Sequence, residues 1–528
     1  MKRLSRAVLA VLSLTALVIP VQASAAPSGA QSCDSVANPA VPGAKVLSTT
    51  AVPKPGGDVE FPPEWGVPPI KDVPPFCEVK VMLTHPGAGD RVMVRLWLPL
   101  TGWNGRFQAL GGGGFSMYDG DGSIALAVKS GYAAAQTDGG VGFDFENPSK
   151  WALDDKGRVN RELLKNFAYR SLHDLAVAGK AVTASYYGKA ASYSYWSGCS
   201  TGGRQGMMNV QRYPDDYDGV NAAAPAINWT RFVMADLWPH VVMNAEGVYP
   251  SGCEFAAFRQ AAIEKCDPDD GLVDGIVRDP ATCRFDPHTL VGKQVECKGQ
   301  TFTITKAEAD VVRKIWAGPK TWYGAQLWPG FDPSTDLTAT ASTTTRPDGT
   351  TTAGRAFQIS ENWAKYFLKK DPSFDIKTIG YREFEQLFRQ SYLEYNQIIG
   401  AEDVDLTAFR NSGGKVVTWH GTEDSLIHWG GTVDYRERVE RRMGGAAKVD
   451  QFYRVFLAPG AEHCGPAAGA APIDPLAPVV DWVEKGKAPE TIAAATFTGA
   501  TRDLCRYPLK SHYNGTGDPR QSTSYTCR

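Results

Sequence analysis

Residues 193–204 read YSYWSGCSTGGR, and this stretch decides the fold. Tyr193 to Trp196 is typical of a short buried strand, and Arg204 to Gln211 is typical of a helix. Gly198 and Gly202 stand two residues before and two residues after Ser200, which permits a sharp turn between strand and helix. Such a turn lifts the serine hydroxyl to where a base can take its proton, so Ser200 is the candidate nucleophile.

The segments around this turn alternate between predicted strands and predicted helices. A helix-like apolar spacing runs from 161 to 187, and another helix is predicted near Leu476 to Lys485. Strands followed by helices indicate a parallel sheet with helices on both faces, an α/β fold. The other predicted strands are Cys77–Leu83, Arg91–Leu98, Arg106–Leu110, Lys415–His420 and Phe452–Leu457.

Changes in composition divide the chain into four parts. Residues 1–26 have a basic start, an apolar run and small residues at 23–25, which is typical of a secretory signal. Residues 27–226 and 403–528 carry the α/β pattern. Residues 227–402 contain acidic loops, many aromatic residues and a Thr/Ser-rich run over 334–352 that we expect to be a mobile loop. This middle part is predicted to be a lid domain inserted into the α/β domain.

Two further residues are predicted to activate Ser200. His463 follows a late strand through a short loop, which is the position of the general base in the chain order Ser, Asp, His. The loop after the preceding strand offers two carboxylates, Glu423 and Asp424, and spacing alone leaves both open as the group that orients the base.

The oxyanion that forms during attack on an ester needs backbone N–H donors. Thr201 follows the nucleophile and supplies one candidate. The glycine run 111–114 follows an early strand and supplies the other.

A cysteine stands beside the candidate nucleophile and another beside the candidate base. Cys199 precedes Ser200, and Cys464 follows His463. A disulfide between them would hold the base against the nucleophile.

Charge and cysteine content limit the partners and the compartment. The 528 residues carry a net charge of −2, which offers no basic field for nucleic acid or anionic lipid. No apolar stretch after the signal reaches the roughly 20 residues that span a bilayer. Ten cysteines in an exported chain indicate five disulfides. We therefore expect a secreted or periplasmic protein with a small substrate; the oligomeric state cannot be predicted.

The motifs GCSTGGR (198–204), HGTED (420–424) and His463-Cys464 resemble those of the tannase and feruloyl esterase family, over about Cys77 to Cys527. The resemblance implies an α/β-hydrolase fold with a largely parallel sheet and a large inserted lid domain. It implies the triad Ser200, His463 and Asp424, and so favours Asp424 over Glu423. It also implies the amides of Gly114 and Thr201 as oxyanion donors. His420 corresponds to a residue that lines the family's substrate pocket; a purely structural hydrogen-bonding role is an equal alternative.

The stretch 266–276, CDPDDGLVDGI, resembles the family's calcium loop. The resemblance implies Ca²⁺ as a structural cofactor in the lid, an ion that prefers oxygen ligands. The implied ligands are the side chains of Asp267, Asp270 and Asp274 and the carbonyls of Leu272 and Ile276. The family also implies the disulfides Cys266–Cys283, Cys505–Cys527 and Cys33–Cys77, which leaves Cys253 and Cys297 to pair by elimination.

The resemblance implies a serine esterase that cleaves esters of aromatic acids, of feruloyl or galloyl type. Phe357 and Trp363 in the lid could stack on a phenolic ring, although packing into a core is an equal alternative for lid aromatics. Arg355 is a neighbouring cation that could contact the acid. Terephthalate monoesters and general aryl or alkyl esters are the alternatives. A binding protein without activity is a further, weaker alternative.

Overall fold

The computed structural model describes residues 32–61 and 68–528, so the predicted signal at 1–26 lies outside the described residues. The described helices are α1 (Asp121–Lys129), α2 (Arg161–Lys165), α3 (Ser171–Tyr187), α4 (Thr201–Arg212), α5 (Trp229–Ala235), α6 (Trp238–Glu246), α7 (Gly252–Cys266), α8 (Lys306–Ala317), α9 (Gln358–Asn362), α10 (Tyr381–Ile399), α11 (Thr407–Asn411), α12 (Gly430–Met443), α13 (Ala446–Val449) and α14 (Ala477–Lys485).

Nine of the described strands form one mixed sheet. They are β1 (Lys45–Lys54), β2 (Phe76–Thr84), β3 (Val92–Pro99), β4 (Arg106–Leu110), β5 (Ala133–Thr137), β6 (Tyr193–Cys199), β7 (Gly219–Ala223), β8 (Lys415–Gly421) and β9 (Tyr453–Ala458). Their order in the sheet is β1-β2-β3-β5-β4-β6-β7-β8-β9. The first three strands and β5 pair antiparallel, and the strands from β5 through β4 to β9 pair parallel. This sheet confirms the α/β architecture predicted from the alternating pattern.

Burial follows the sequence pattern along the parallel strands. Every residue of β5 and of β7 is buried, as expected for strands covered by helices on both faces. The predicted helix over 161–187 forms as α2 and α3, joined by one π-helical stretch at Asn166–Arg170.

Short antiparallel pairs lie outside the main sheet. The Thr/Ser-rich run expected to be a mobile loop contains one of them, Thr343–Thr345 with Thr351–Ala353. The remaining pairs are Gly57–Val59 with Ile70–Val73, Gln294–Cys297 with Gln300–Thr303, Ala471–Pro472 with Ala494–Ala495, Thr491–Ile492 with Leu504–Cys505, and Ser511–Tyr513 with Tyr525–Cys527.

The segment 227–402 carries α5 to α10 and shares its core with the sheet domain. Its Phe367 ring lies 5.6 Å from Trp151 and 6.1 Å from Phe115, both of which precede the insertion. Trp363 stacks on Phe367 at 4.4 Å between ring centroids. An aromatic core therefore fixes the inserted segment to the sheet domain.

All ten cysteines lie in the described ranges, and none of them is free. Their pairings are the predicted ones, Cys33–Cys77, Cys199–Cys464, Cys253–Cys297, Cys266–Cys283 and Cys505–Cys527. No described helix has the length and apolar character needed to cross a bilayer.

Candidate active site

Ser200 lies at the turn between β6 and α4, in a backbone conformation that few residues other than glycine adopt. Its φ is 62° and its ψ is −125°, and a positive φ at a residue with a side chain costs free energy that the surrounding structure must offset. The backbone N–H of Ser200 donates to Ala223 O at 3.1 Å, and its carbonyl accepts from Ala226 at 3.0 Å. These contacts with β7 and the loop after it hold the turn.

The glycines around Ser200 allow the glycine turn after β4 to approach α4 closely. A Cβ atom on Gly111 would lie 2.4 Å from the Gly202 Cα, which is too close for any side chain. The Gly202 N–H donates to Gly112 O at 2.6 Å. The Thr201 hydroxyl donates to Gly114 O at 2.7 Å. The glycine turn and the start of α4, which carry the two predicted oxyanion donors, are therefore hydrogen-bonded to each other directly.

The backbone N–H groups of Gly114 and Thr201 are the two predicted oxyanion donors, and each can act only if its hydrogen is not already used. Thr201 is the first residue of α4, where an N–H has no intrahelical acceptor. Gly114 has φ 53°, and a Cβ there would lie 2.0 Å from Phe145 O. Within the described residues, no backbone hydrogen bond outside the helices and strands uses the Gly114 N–H.

Gln205 positions the glycine turn, a role that the sequence analysis missed. Its Oε1 accepts from the Gly112 N–H at 3.1 Å, and its Nε2 donates to the Met117 sulfur at 3.2 Å. Its place one turn into the helix after the nucleophile was the available sequence signal.

His463 and Asp424 are in direct contact. The His463 Nδ1–H donates to Asp424 Oδ2 at 2.7 Å. The other carboxylate oxygen, Oδ1, accepts the backbone N–H groups of Leu426 at 2.9 Å and Ile427 at 2.8 Å. This contact leaves the Nε2 of His463 for the nucleophile, as a general base requires.

Asp424 is buried, and it is held in its charged form. Burial alone would raise its pKa, but the charge on His463 and the hydrogen bonds from His420 and His463 outweigh burial and hold the pKa well below its usual range. Glu423, the alternative carboxylate, instead binds Arg259 of α7 at 2.7 Å. Burial raises the pKa of Glu423 to about 7, although Arg259 opposes the shift.

The disulfide Cys199–Cys464 joins the residue before Ser200 to the residue after His463, with 5.9 Å between the Cα atoms. This bridge therefore joins the turn that carries the candidate nucleophile covalently to the loop that carries the candidate base.

His420 is fully buried, at 0 % exposure. Its Nε2 is 2.8 Å from the carbonyl of Ile427 and 3.2 Å from Asp424 Oδ2. A carbonyl can only accept, so Nε2 carries the proton, and Nδ1 then accepts from the Thr432 hydroxyl at 2.8 Å. This arrangement favours the structural hydrogen-bonding role of His420, in which it supports Asp424.

The three lid residues predicted to contact a substrate have different surroundings. Trp363 is at 0 % exposure, and its indole N–H donates to Ser391 at 2.9 Å, because the lid packs this ring into the shared core. Arg355 is exposed and pairs with Glu146 at 2.7 Å. Phe357 is half-buried at the start of α9.

Two apolar residues that were not predicted lie against the glycine turn. A Cβ atom on Gly113 would lie 3.2 Å from the Phe145 ring, and one on Gly114 would lie 2.8 Å from Ile359 Cδ1. Ile359 belongs to α9, two residues after Phe357. The start of α9 and the segment around Phe145 therefore flank the oxyanion position with apolar groups.

Arg204 is a buried cation of the GCSTGGR motif. Its guanidinium donates to the carbonyls of Ala168 and Phe167, both at 3.1 Å, and lies over the rings of Phe167 and Trp229. Burial lowers the pKa of Arg204 to about 9. The residue ties α4 to the π-helical stretch and to the aromatic core.

The predicted calcium loop forms a short 3₁₀ helix, Asp267–Asp270, followed by a turn. Asp267 accepts the N–H groups of Asp274 at 3.3 Å and Gly275 at 2.8 Å. Asp274 pairs with Arg502 at 2.9 Å. Within the described residues, no group of three or more His, Cys, Asp or Glu side chains could hold a metal ion.

Comparisons with known proteins agree with this geometry. A family model described as "Tannase and feruloyl esterase" matches residues 77–528. A probable feruloyl esterase of Arthroderma benhamiae is 47% identical over 504 residues, which cover 94% of this chain and 93% of that protein. The feruloyl esterase B of Aspergillus niger is 32% identical, with 82% of each chain covered.

Two solved structures cover nearly the whole chain. The tannin acyl hydrolase from Aspergillus niger has a TM-score of 0.84 at 28% identity and covers 95% of this chain and 94% of its own. The feruloyl esterase B from Aspergillus oryzae has a TM-score of 0.76 at 27% identity, with 93% and 97% covered. The chain therefore belongs to the tannase and feruloyl esterase family and is a carboxylic-ester hydrolase with an α/β-hydrolase fold.

Proposed function

We propose that this esterase cleaves esters of phenolic acids with Ser200 as nucleophile, His463 as general base and Asp424 as the group that orients the base. The observation that carries the proposal is the Asp424–His463 contact of 2.7 Å, joined to the Ser200 turn by the Cys199–Cys464 bridge.

In the proposed reaction, His463 takes the Ser200 proton as the Ser200 oxygen attacks the ester carbonyl. The amides of Gly114 and Thr201 receive the oxyanion. Collapse expels the alcohol, which takes its proton from His463, and leaves an acyl-enzyme. Water, activated by His463, then releases the acid and restores Ser200.

His420 supports this chemistry as a positioning residue. It donates from Nε2 to Asp424 and Ile427, and so helps to hold the carboxylate that orients His463. The Thr432 hydroxyl fixes the required tautomer by donating to Nδ1.

The apolar groups beside the oxyanion position support an aromatic acyl group. Phe145 and Ile359 flank the glycine turn, and Phe357 starts the same helix as Ile359. An aromatic ring that packs between such groups gains both buried area and stacking. Arg355, the cation that could contact the carboxylate of a terephthalate monoester, is exposed and pairs with Glu146.

The test compares methyl ferulate, methyl gallate and a terephthalate monoester on the same preparation. We expect the first or second ester to have the highest kcat/KM and Ser200→Ala to abolish hydrolysis. Phe145→Ala should raise KM for the aromatic esters more than for methyl acetate. Hydrolysis that survives Ser200→Ala would refute the assignment of the nucleophile.

We also propose that the loop 267–276 binds Ca²⁺ and stabilises the lid. The three carboxylates of Asp267, Asp270 and Asp274 lie within eight residues. Burial, together with the charge of Asp274, raises the pKa of Asp270, and a bound cation would oppose this shift. The donor chemistry suits a hard cation, although the carboxylates do not converge as a cluster and Arg502 already pairs with Asp274. The carbonyls of Leu272 and Ile276 would complete the ligands.

The calcium test is a thermal melt of chelated protein with and without added Ca²⁺. We expect a higher melting temperature with the ion, and no such rise in Asp270→Asn. An unchanged melting temperature in the wild type would contradict the proposal.

We further propose that the protein is exported through the signal at residues 1–26. Five disulfides support an oxidising compartment. N-terminal sequencing of the protein recovered outside the cytoplasm should begin near residue 27; recovery of uncleaved protein in the cytoplasm would contradict export.

A further inference from the structure

A surface groove of about 770 Å³ lies on the inserted segment, between the loop after α8 and the first turns of α10. It shares no residue with the candidate active site. Its volume is within the range of sites for small organic ligands. The lining residues are Trp238, Lys314, Lys320, Thr321, Trp322, Tyr381, Arg382, Glu385, Gln386 and Arg389.

Aromatic rings form the apolar part of this groove. Trp322 is 88 % exposed, although its backbone N–H is held by Glu385 at 2.9 Å. Tyr381 is exposed, and its hydroxyl donates to Glu246 at 2.7 Å. The Trp238 ring lies 5.3 Å from the Tyr381 ring. The exposed rings of Trp322 and Tyr381 are accessible for stacking on a planar ligand, and the buried Trp238 ring packs behind Tyr381.

The groove is positively charged, in a chain whose net charge is −2. Four basic side chains and one acidic side chain line it. Arg389 is neutralised by Glu385 at 2.8 Å and Lys314 by Glu246 at 2.6 Å. Over residues 32–61 and 68–528, Lys320 and Arg382 form no ion pair, and both are exposed. Two cations are therefore available to an anionic ligand.

We propose that this groove, which we call the lid groove, is a second binding site, and that its ligand is an aromatic carboxylate. The ring would stack on Trp322 and Tyr381, and the carboxylate would pair with Lys320 and Arg382. The positive charge complements the anion. Among the lining side chains, only Gln386 and Thr321 are uncharged hydrogen-bonding groups without a ring, which is a poor match for the many hydroxyls of a neutral sugar.

The choice of this ligand rests on the proposed function, because cleavage of an ester of a phenolic acid releases an aromatic acid that is anionic at neutral pH. The lid groove would thus retain a product, or the anionic ring of a larger phenolic substrate, away from Ser200.

The experiment uses the full-length protein in which Ser200 has been blocked by a small fluorophosphonate, so that the active site cannot contribute. Ferulate is then titrated by calorimetry at pH 7. We expect one remaining site. Its Kd should rise at least tenfold in Trp322→Ala and in the double variant Lys320→Gln/Arg382→Gln. Phe497→Ala is the matched control, because Phe497 is an 87 % exposed aromatic residue outside the groove.

Two comparison probes are used. Methyl ferulate keeps the aromatic ring but is neutral, and polygalacturonate is anionic but has no aromatic ring. Methyl ferulate should bind at least tenfold more weakly than ferulate. The proposal is overturned if Trp322→Ala binds ferulate like Phe497→Ala, if methyl ferulate binds as well as ferulate, or if only polygalacturonate binds. Failure of the fluorophosphonate to label Ser200 would count against the proposed function instead, and the Trp322→Ala comparison on unblocked protein would still decide the lid groove. All three variants should keep the wild-type kcat.

Discussion

Loss of the disulfide Cys199–Cys464 should lower activity and stability more than loss of a disulfide that closes a short loop. It closes 265 residues, whereas Cys505–Cys527 closes 22. In the chain-entropy description, removing the first costs about 5.6 kcal/mol and removing the second about 3.4 kcal/mol, a difference of about 2 kcal/mol. The bridge Cys253–Cys297 lies inside the long loop and shortens it, which changes the difference by only about 0.2 kcal/mol.

The activity loss should be larger than the stability loss implies. Without the bridge, the His463 side chain keeps its contact with Asp424, but its loop is no longer joined to the Ser200 turn. A displacement of about 1 Å at a reacting group lowers the rate about 100-fold. We therefore expect Cys199→Ser/Cys464→Ser to lower kcat by about 100-fold, with Cys505→Ser/Cys527→Ser near the wild-type value.

Urea unfolding of both double variants measures the stability difference, and hydrolysis of methyl ferulate measures kcat. The rates are measured at a temperature where circular dichroism shows both variants folded, so that loss of folded protein does not count as loss of rate. A kcat for the Cys199→Ser/Cys464→Ser variant within a few-fold of the Cys505→Ser/Cys527→Ser control would refute the positioning role of the bridge.

Three further predictions concern groups around Asp424. Thr432→Val leaves the buried Nδ1 of His420 without its hydrogen-bond donor, so kcat should fall about tenfold at unchanged KM. Thr432→Ser keeps the hydroxyl and should stay near the wild-type kcat. Equal kcat values for the two variants on methyl ferulate would argue against a positioning role of His420. The pKa of Glu423 is raised to about 7, so the native state holds a proton that the unfolded state has released. The free energy of unfolding should then fall by about 3 kcal/mol from pH 4.5 to 7, and the fall should be smaller in Glu423→Gln; equal pH slopes in urea titrations would contradict this. Burial and the charge of Asp424 raise the pKa of Asp236 well above its usual range, which favours the neutral form of its carboxyl. Asp236→Asn, which replaces the carboxyl with a neutral group of the same shape, should therefore keep the melting temperature at pH 7, and a large drop would contradict this.

The strand-turn-helix at Ser200 could be predicted because its physical requirements are local. A turn this sharp needs glycine on both sides, and strand and helix patterns can be recognised over a few residues. The bridge between Cys199 and Cys464 is a long-range contact, but the two cysteines adjoin the two candidate catalytic residues, and so the sequence itself pointed to the pairing.

The surroundings of His420 and Trp363 could not be predicted in this way. A histidine at a strand end has the same local sequence whether it faces a pocket or supports a neighbour, and the partner that decides here, Thr432, stands twelve residues later on α12. An aromatic residue such as Trp363 has the same local sequence whether it stacks on a substrate or fills a core. Its burial depends on Phe115 and Trp151 of the sheet domain, whose approach to the lid has no sequence pattern.

The inserted segment 227–402 therefore uses its aromatic residues in two separate ways, and packing decides which. Rings that face the sheet domain, such as Trp363 and Phe367, fill a shared core and fix the lid in place. Rings on the outer surface, such as Trp322, keep open faces. A substitution in the first group should lower stability and activity together, because it loosens α9 and with it Ile359 beside the oxyanion position. A substitution in the second group should leave both unchanged and alter only ligand binding on the lid. Melting temperature and kcat measured together for Phe367→Leu and Trp322→Ala separate the two groups, and a fall of either quantity in Trp322→Ala would contradict the division.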